Sequence, residues 1–388
     1  MDVRVFAGAE EPIYLDYNAT TPLDPAVSAV MMPYVQGRFG NPSSGHWYGV
    51  KEKEAVHTAR AHVAALINAK AGEIIFTSGG TESANWAIKA TAERMKGTHR
   101  HIVTSKVEHV VVIECCKYLE QMHGFEVTYV DVDKSGRVSA ETVAGALRDD
   151  TCLVSIMHAN NETGSINDIE AIAQVAHKRG VLFHTDASQS VGKVDVDVVL
   201  MHVDFLTIAG HKLYCPAGVG ALYVKQDVPL MNWMHGAGHE AGRRAGTENT
   251  MHLVALGEAC RLCSENLREH QVHLKSMRDL LHQLLLERLP SLRLNGHAEE
   301  RLPNTLNVSL PVDCCTSHEL IAATSKDLAF SAGSACHSGQ TSISHVLAAM
   351  GSEQERGARA IRLSVGRFTT EAQVRRAAEL LLAALQKY

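Results

Sequence analysis

The 388-residue sequence lacks any apolar run long enough to cross a membrane. Its first twelve residues carry acidic side chains where a secretory signal would be apolar, and they lack the arginine and serine richness of a transit peptide. The net charge of −6 is opposite in sign to the basic balance that holds nucleic acid or a membrane surface. These absences predict a cytoplasmic protein with neither kind of partner.

The nine cysteines give no sign of a disulfide framework, because their number is odd and their spacing is irregular. Cys260 and Cys263 have the spacing of a metal or redox pair. They fall in an apparently helical stretch without a second pair, which favours a structural role. The 22 histidines include no His-Glu-x-x-His or comparable ligand cluster. The sequence therefore predicts no metal site.

What the sequence does contain is a regular alternation of apolar, β-rich runs and helical patterns. Seven such runs occur, at residues 73–77, 101–104, 127–130, 152–158, 181–185, 205–208 and 220–224. Alternation of this kind predicts an α/β fold with a large, mostly parallel, seven-stranded sheet covered by helices. Because only a short loop joins the last two runs, one strand can run antiparallel.

A long amphipathic helix, predicted over residues 251–289, leads out of this sheet into a small α+β unit. We predict three parts of the chain. An N-terminal arm, residues 1–20, belongs to the small domain, a large domain covers residues 21–260, and a small C-terminal domain covers residues 261–388. Boundaries predicted from a single sequence carry an error of a few residues.

Polar residues follow the predicted strands, at the edge of the sheet where ligands bind in α/β folds. An apolar run ending at Ala209 is followed by a glycine, His211 and Lys212. Lys212 is either a surface lysine after an edge strand or a desolvated lysine whose lowered pKa suits a Schiff base. Asp186 follows another strand, 26 residues earlier, so both side chains can flank one ligand.

Residues 78–83, Ser-Gly-Gly-Thr-Glu-Ser, open a predicted helix. They form either a simple N-cap or a site where two glycines and a helix N-terminus bind phosphate. No Gly-x-x-x-x-Gly-Lys-[Ser/Thr] and no Gly-x-Gly-x-x-Gly pattern is present, which favours a single phosphate over a nucleotide. His109 and the polar turn at 160–164 follow two further strands, and the histidine ring can stack on an aromatic ligand.

Together these motifs resemble a known family. The motifs that carry the resemblance appear in family order, at residues 77–83, 108–109, 160–162, 184–189, 210–212, 244–249, 333–336 and 362–367. The whole chain resembles the class V, NifS-like branch of fold-type-I enzymes that use pyridoxal 5'-phosphate, namely the cysteine desulfurases and selenocysteine lyases. The resemblance implies that the large domain binds the cofactor and that the small domain carries a catalytic cysteine.

The resemblance implies a role for each candidate residue. On the cofactor it assigns Lys212 as covalent anchor and proton shuttle, Asp186 at the pyridinium nitrogen, Gln189 at the phenolic oxygen, His109 stacked on the ring, and Gly80, Thr81, His211 and a second subunit's Thr247 at the phosphate. On the substrate it assigns Arg362 to the carboxylate, helped by Asn41 and by Asn160, which also contacts the cofactor. The contribution of Thr247 implies a homodimer.

Cys336 is the implied nucleophile. It lies in a stretch rich in glycine and serine and poor in packing groups, which favours a reactive thiol over a buried structural one. In the implied reaction Lys212 takes the Cα proton and the Cys336 thiolate attacks the sulfur or selenium of the substrate. Alanine then leaves, and an acceptor protein in Fe–S or thio-cofactor assembly receives the sulfur from the persulfide on Cys336.

The choice between cysteine and selenocysteine stays open in the sequence. His337 matches the animal selenocysteine lyases, whereas Val110 matches neither those lyases nor the desulfurases, and Ala209 replaces a serine common in bacterial desulfurases. A catalytically weak scaffold in sulfur traffic would need none of the lysine, aspartate, cysteine and arginine found here. An aminotransferase would have no use for Cys336.

Overall fold

A computed structural model describes residues 11–332, 334–337 and 340–386 of the chain, with the side chains described outside 334–337 and 340–342. The strands are β1 (Ile13–Tyr14), β2 (Ile74–Thr77), β3 (His101–Ser105), β4 (Glu126–Val130), β5 (Thr151–Ser155), β6 (Leu182–Asp186), β7 (Phe205–Ala209), β8 (Gly220–Val224), β9 (Arg293–Leu294), β10 (Thr305–Ser309), β11 (Leu328–Ala329), β12 (Ser331–Ala332), β13 (Ser334–His337), β14 (Gln340–Ile343) and β15 (Ala360–Ser364). The helices are α1 (Pro25–Val35), α2 (Trp47–Leu66), α3 (Gly80–Met95), α4 (Val110–His123), α5 (Ala140–Ala146), α6 (Ile169–His177), α7 (Thr250–Arg288), α8 (Ser317–Thr324), α9 (His345–Ala349), α10 (Gln354–Ala358) and α11 (Glu371–Leu385).

The large sheet has seven strands in the order β2-β8-β7-β6-β5-β3-β4. Strand β8 runs antiparallel to both of its neighbours, β2 and β7. The other neighbouring pairs are parallel. The predicted α/β fold with a mostly parallel, seven-stranded sheet is therefore confirmed, and its antiparallel member is the strand that follows the Lys212 loop.

Two hydrophobic clusters pack on opposite faces of this sheet. Neighbouring residues of β5 alternate between them, with Val154 in one cluster and Leu153 in the other. This alternation follows from the pleat of a strand, which points successive side chains to opposite faces. The first cluster includes residues from α2, α6 and α7, and the second includes Trp86 of α3 and Val112 of α4. A sheet covered on both faces explains why its inner strands β5, β6 and β7 are buried along nearly their whole length.

Several helix starts can be read from their caps. Asp24 accepts a hydrogen bond from the N–H of Ala26, and Pro25 stands at the first helical position of α1, where a missing N–H costs nothing. Thr370 and Gln373 form a reciprocal capping box at the start of α11. These local signals position the helices before any packing is considered.

Helix α7 connects the two halves of the chain. Near its start, Gly257 lets α7 approach α2 closely, since a Cβ at this position would lie only 2.5 Å from the Cα of Ala59. Farther along, Leu274 and Leu281 join the cluster that contains β10 and β15. The helix observed over Thr250–Arg288 agrees with the sequence prediction to within one residue at each end.

The C-terminal part has its own antiparallel sheet, in the order β12-β15-β10-β9. The N-terminal arm packs with it: Leu15 belongs to the same cluster as Leu306 and Leu363, and β1 pairs in parallel with β11. The predicted domain boundaries at residues 20 and 260 stay a prediction. Within the described ranges no helix combines the length and hydrophobicity needed to span a membrane.

Two features of the C-terminal part concern strand pairing. Residues 328–332 form two separate strands, because β11 pairs with β1 and β12 pairs with β15. The glycine- and serine-rich stretch around Cys336 is not a loop throughout, since β13 and β14 pair as antiparallel strands with Cys336 opposite Thr341. The small residues of this segment have low β propensity, so their pattern hides the strands.

Candidate active site

A pocket of about 380 Å³ lies beyond the carboxyl ends of strands in the large sheet. The segments after β2, β3, β5, β6 and β7 line it, as expected for a ligand site in an α/β fold. Most of the residues predicted from the sequence meet here, although up to 282 positions separate them along the chain. They are Gly80, Thr81, His109, Asp186, Gln189, His211, Lys212 and Arg362.

Lys212 ends a short 3-10 turn directly after β7. Its Nζ donates to the backbone carbonyls of Asn18 at 2.6 Å and Ala19 at 2.7 Å. Burial, and then the positive charge of Arg362, lower the pKa of Lys212 to about 8. The interpretation of Lys212 as a surface lysine does not hold, because its amine lies in the pocket and loses its proton easily.

Asp186 ends β6 and supplies a carboxylate to the same pocket. Its Oδ1 accepts a hydrogen bond from the N–H of Ser188 at 2.9 Å. Two residues earlier, His184 is buried between the hydroxyls of Ser155 at 2.8 Å and Thr207 at 3.0 Å. Burial lowers the pKa of His184 to about 4, so this imidazole is neutral and leaves the charge at this position to Asp186.

The start of α3 forms one end of the pocket, and its chemistry suits an anion. The first N–H groups of a helix have no intrahelical acceptor, and the helix dipole favours a negative charge there. The wall is tight, since a Cβ on Gly80 would lie 3.2 Å from both the Cβ of Ala209 and the Oγ of Ser188. Thr81 adds a hydroxyl to this end of the pocket.

His211 also lines the pocket, with its Nδ1 3.2 Å from the hydroxyl of Thr20. Burial, and then the charge of Lys212, lower the pKa of His211 to about 4. A neutral ring at this position can donate one hydrogen bond to an anion without adding a second charge beside Lys212.

His109 caps α4 through its Nδ1, which accepts from the N–H of Val111 at 3.2 Å. Burial lowers the pKa of His109, so the ring is neutral with its proton on Nε2. The preceding residue, Glu108, is fully buried and accepts from the hydroxyl of Ser105 at 2.6 Å and the N–H of Met157 at 3.0 Å. Burial raises the pKa of Glu108 to about 8, so this carboxyl is largely uncharged at neutral pH.

Arg362 enters the pocket from β15 of the C-terminal sheet. Its Nη1 donates to the carbonyl of Asn161 at 3.0 Å, and its Nη2 donates to Asp16 at 2.8 Å and to Ser331 at 3.0 Å. In the part of the chain that the structure describes, its buried Nε has no hydrogen-bond partner. An anionic ligand that binds Arg362 would therefore share the guanidinium with Asp16.

Comparison with known proteins decides the family. The model of the aminotransferase class V family matches residues 13–377. The chain belongs to this class V family. A cysteine desulfurase IscS of Pseudomonas aeruginosa is 45% identical over 381 residues, which cover 97% of this chain and 93% of that protein. The NifS-like resemblance inferred from the motifs is thereby confirmed.

Solved structures show the same relationship. A NifS-like protein superposes on this class V chain with a TM-score of 0.90 and 34% identity, covering 97% of this chain and 100% of that one. The structure of SspA in complex with cysteine superposes with a TM-score of 0.78 and 35% identity, covering 92% of this chain and 99% of that one. The chain is therefore an enzyme of the cysteine desulfurase type, and it shares the fold of these two structures over nearly its whole length.

Some predicted site residues of this class V chain lie outside the pocket. Asn160 is buried behind the wall, where its amide donates to the carbonyl of Val107 and accepts from the N–H groups of Glu162 and Thr163. Its hydrogen bonds are thus made within the protein, and the neighbouring Asn161 lines the pocket instead. The contact with cofactor or substrate that was predicted for Asn160 stays a prediction.

Two further predicted residues, Asn41 and Thr247, are not among the residues that line the pocket, and a third, Cys336, is described only in its backbone. Asn41 is exposed and accepts from the N–H of Ser43 at 2.9 Å. Thr247 lines a separate cavity of about 200 Å³. The backbone of Cys336 lies in β13, and its side chain is outside the described residues. The roles of these residues stay predictions.

Sequence reasoning missed several residues of the site. Asn18 and Ala19 reach Lys212 from the N-terminal arm, and Ser188 reaches the start of α3. Asp16 belongs to the same arm and pairs with Arg362. For Asp16, Asn18 and Ala19 the signal in the sequence is the polar end of the short apolar run at residues 13–17.

Proposed function

We propose that this chain is a cysteine desulfurase that uses pyridoxal 5'-phosphate. It removes sulfur from L-cysteine, releases L-alanine and holds the sulfur as a persulfide on Cys336. The observation that carries the proposal is the meeting of Lys212, Asp186, the start of α3 and Arg362 in one pocket of a class V chain. Cysteine is favoured over selenocysteine because the similar IscS protein is named for cysteine.

The residues of the pocket fit this cofactor by their chemistry. An aldehyde needs an amine that is readily neutral, and the amine of Lys212 has a pKa of about 8. A protonated pyridine nitrogen is stabilised by a carboxylate that accepts its N–H, and Asp186 supplies a carboxylate in this pocket. A single phosphate suits the free N–H groups of α3 together with Thr81 and His211. When bound, the cofactor supplies a conjugated ring that takes up electron density from the Cα of an amino acid.

The chain's own residues divide the remaining work. At pH 7 about one Lys212 in ten is neutral when its pKa is about 8, so the residue can accept and return a proton at Nζ. His109 is held by its cap to α4 and can cover one face of the ring. Arg362 binds the carboxylate of the substrate. Its hydrogen bond to Asp16 restricts the orientation of the guanidinium.

The sulfur transfer balances without an added oxidant. The thiolate of Cys336 attacks the sulfur of the substrate, so an S–S bond forms while the bond from that sulfur to the substrate's Cβ breaks. The electron pair of the broken bond stays with the Cβ, which is protonated to the methyl group of alanine. The products are one alanine and one Cys336 persulfide. An acceptor thiolate then attacks the outer sulfur, the S–S bond to Cys336 breaks, and Cys336 leaves as the thiolate.

The test of this function is Cys336→Ala. We expect the variant to bind pyridoxal phosphate as the wild type does and to release no sulfide from cysteine in the presence of a thiol. Cys314→Ala is the matched control, because Cys314 is a partly exposed thiol of the same part of the chain. Undiminished sulfide release by Cys336→Ala would reject the nucleophile, and a wild type that binds the cofactor without turnover would favour a scaffold.

The proposed active form is a homodimer in which Thr247 completes the partner's site. Its support is the position of Thr247, which lines a cavity apart from the Lys212 pocket of its own chain. Chains with Lys212→Ala and chains with Thr247→Ala should each be impaired. Mixed dimers should regain one intact site, with Lys212 from one chain and Thr247 from the other, and so recover activity. If mixing restores nothing, Thr247 does not act across an interface.

A further inference from the structure

Lys193 is a buried lysine that the proposed reaction does not use. It is 6% exposed and lies seven residues after Asp186, in the segment that also carries Gln189. Among the described residues no carboxylate is within ion-pair distance of its ammonium. Burying an unpaired charge in this way costs stability, so its position behind the pocket calls for an explanation.

Lys193 makes one hydrogen bond that bears on the site. Its Nζ donates to the Oε1 of Gln189 at 2.9 Å. The Nε2 of Gln189 donates to the carbonyl of Asn18 at 3.0 Å, and the same carbonyl accepts from the Nζ of Lys212. A continuous chain of hydrogen bonds thus joins Lys193 to the lysine of the pocket.

The hydrogen bonds determine which way the amide of Gln189 faces. An ammonium has only donors and a carbonyl has only acceptors, so Lys193 requires the amide oxygen and Asn18 requires the amide nitrogen. Both constraints give the same orientation. Gln189 lines the pocket, and in the described part of the chain its Nε2 has no acceptor besides Asn18. The second N–H of this amide is therefore left for a ligand.

The backbone is shaped to bring Lys193 behind the pocket. Gly192, with a φ of +73°, turns the chain in the left-handed region. A Cβ at this position would lie 2.6 Å from a methyl of Leu213 and 2.8 Å from the sulfur of Cys263. Lys193 then lines a small internal cavity together with Lys212 and Cys263.

We propose that Lys193 is a positioning residue for Gln189: its ammonium holds the amide oxygen, directs the amide N–H into the pocket and strengthens the hydrogen bond to the cofactor's ring oxygen. The inference rests on the proposed function, in which Gln189 binds that oxygen. The positive charge behind the amide polarises it, and a polarised amide is a stronger donor. A stronger donor favours the anionic form of the ring oxygen, as would the charge itself.

The electrostatics of the cluster set how much of Lys193 is charged. Burial, followed by the charges of Lys212 and Arg362, lowers the pKa of Lys193 to about 7, while Cys263 acts in the opposite direction. The bond to Gln189 itself needs only an N–H of Lys193, which the amine keeps in either protonation state.

The test is Lys193→Met in the loaded enzyme, followed by a pH titration of the cofactor's absorption. We expect the titration midpoint to rise by about one pKa unit and the Kd for pyridoxal phosphate to rise about 5- to 10-fold, the effect of one lost hydrogen bond. Cys263→Ala is the matched control, because it removes packing from the same cavity and leaves the bond to Gln189 intact. It should titrate as the wild type does.

A double-mutant cycle shows whether Lys193 acts through Gln189. In a Gln189→Leu background, Lys193→Met should have less than half of its effect on the titration midpoint. An equal effect in both backgrounds, or a Lys193→Met variant that titrates as the wild type does, would overturn the proposal. A wild-type chain that binds no pyridoxal phosphate would instead reject the proposed function, and this inference with it.

Thermal unfolding of the cofactor-free chain separates positioning from a structural role. The pKa of Lys193 is lowered on folding, so the unfolded chain binds more protons between about pH 7 and pH 10, and wild-type stability rises over that range. Lys193→Met should therefore match or exceed the wild-type Tm near pH 7, with its relative advantage shrinking at higher pH. A large fall in Tm at pH 7 would show a structural lysine and contradict the proposal.

Discussion

The two sheets furnish the pocket in different ways. The large sheet places Lys212, Asp186 and His109 at strand ends, whereas the C-terminal sheet places Arg362 within β15, paired with Asn307 on one side. The strand-end residues are tuned by burial, which lowers the pKa of both Lys212 and His109. Arg362 is instead held by an ion pair with Asp16 at 2.8 Å.

This difference follows from what each group does. A residue that gives and takes a proton works best with a pKa near the ambient pH, and burial without a counter-ion moves a lysine in that direction. A residue that recognises a carboxylate must stay charged and keep its orientation, which an ion pair secures. The end of the large sheet thus provides the buried environment of Lys212, and the C-terminal sheet with the N-terminal arm provides the ion-paired environment of Arg362.

The largest effect is expected from Lys212→Ala, which removes the proton-transfer residue of the large sheet. We expect sulfide release to fall by about 10²–10⁴-fold, the usual contribution of a positioned acid or base. Mass spectrometry after borohydride reduction should find no cofactor attached to the chain. Lys225→Ala is the control, since Lys225 is half-exposed beside Asp204 and should retain activity. A Lys212→Ala enzyme with wild-type turnover would remove the distinction between the two sheets.

A smaller effect is expected from Arg362→Lys, which keeps the charge and loses the planar fork. We expect the KM for cysteine to rise roughly 10- to 100-fold, the range for a lost charged hydrogen bond, with a smaller change in kcat. Because the lysine of the variant retains the positive charge, cofactor binding should stay intact. Steady-state kinetics measures KM and kcat of the variant. Arg375→Lys, which changes an exposed arginine of α11, is the control. A change in kcat without a change in KM would show that Arg362 acts in the chemical step and not in binding the substrate.

The smallest effect is expected from Glu108→Gln, which replaces the buried carboxyl that accepts from Ser105 and Met157. Its pKa is raised from 4.5 to about 8, so the folded chain binds more protons from about pH 5 to pH 8 and wild-type stability falls across that range. The variant should match the wild type at pH 5 and exceed it in Tm at pH 8, by roughly 2–4 °C. Thermal scans at both values measure the difference. An equal Tm at both pH values would show that Glu108 ionises normally.

Much of the site was predictable because strand ends are readable. An apolar run followed by polar residues predicts a position at the carboxyl edge of a parallel sheet, and this rule places Asp186, Lys212 and His109 correctly in one pocket. The same rule pointed to the polar turn at residues 160–164, but it could not say which amide of that turn faces the pocket. The backbone of the turn after β5 decides this, and it places Asn161 at the pocket.

The N-terminal arm could not be placed from its sequence. Its carbonyls at Asn18 and Ala19 bind Lys212 across more than 190 residues of sequence, and its Asp16 binds Arg362 across 346. Contacts of this separation leave no local periodicity. The hairpin of β13 and β14 was missed for a related reason, since strands of small residues depend on their partner for stability.

By itself the sequence determined the element order, the mostly parallel sheet and the residue types of the site, because period, caps and strand-end chemistry are local properties of the chain. The tertiary structure alone decided which amide faces the pocket, how Asp16 holds Arg362 and how Lys193 reaches Gln189. It also decided how strongly burial lowers the pKa of Lys212, since desolvation depends on atoms that are distant in the chain and close in space.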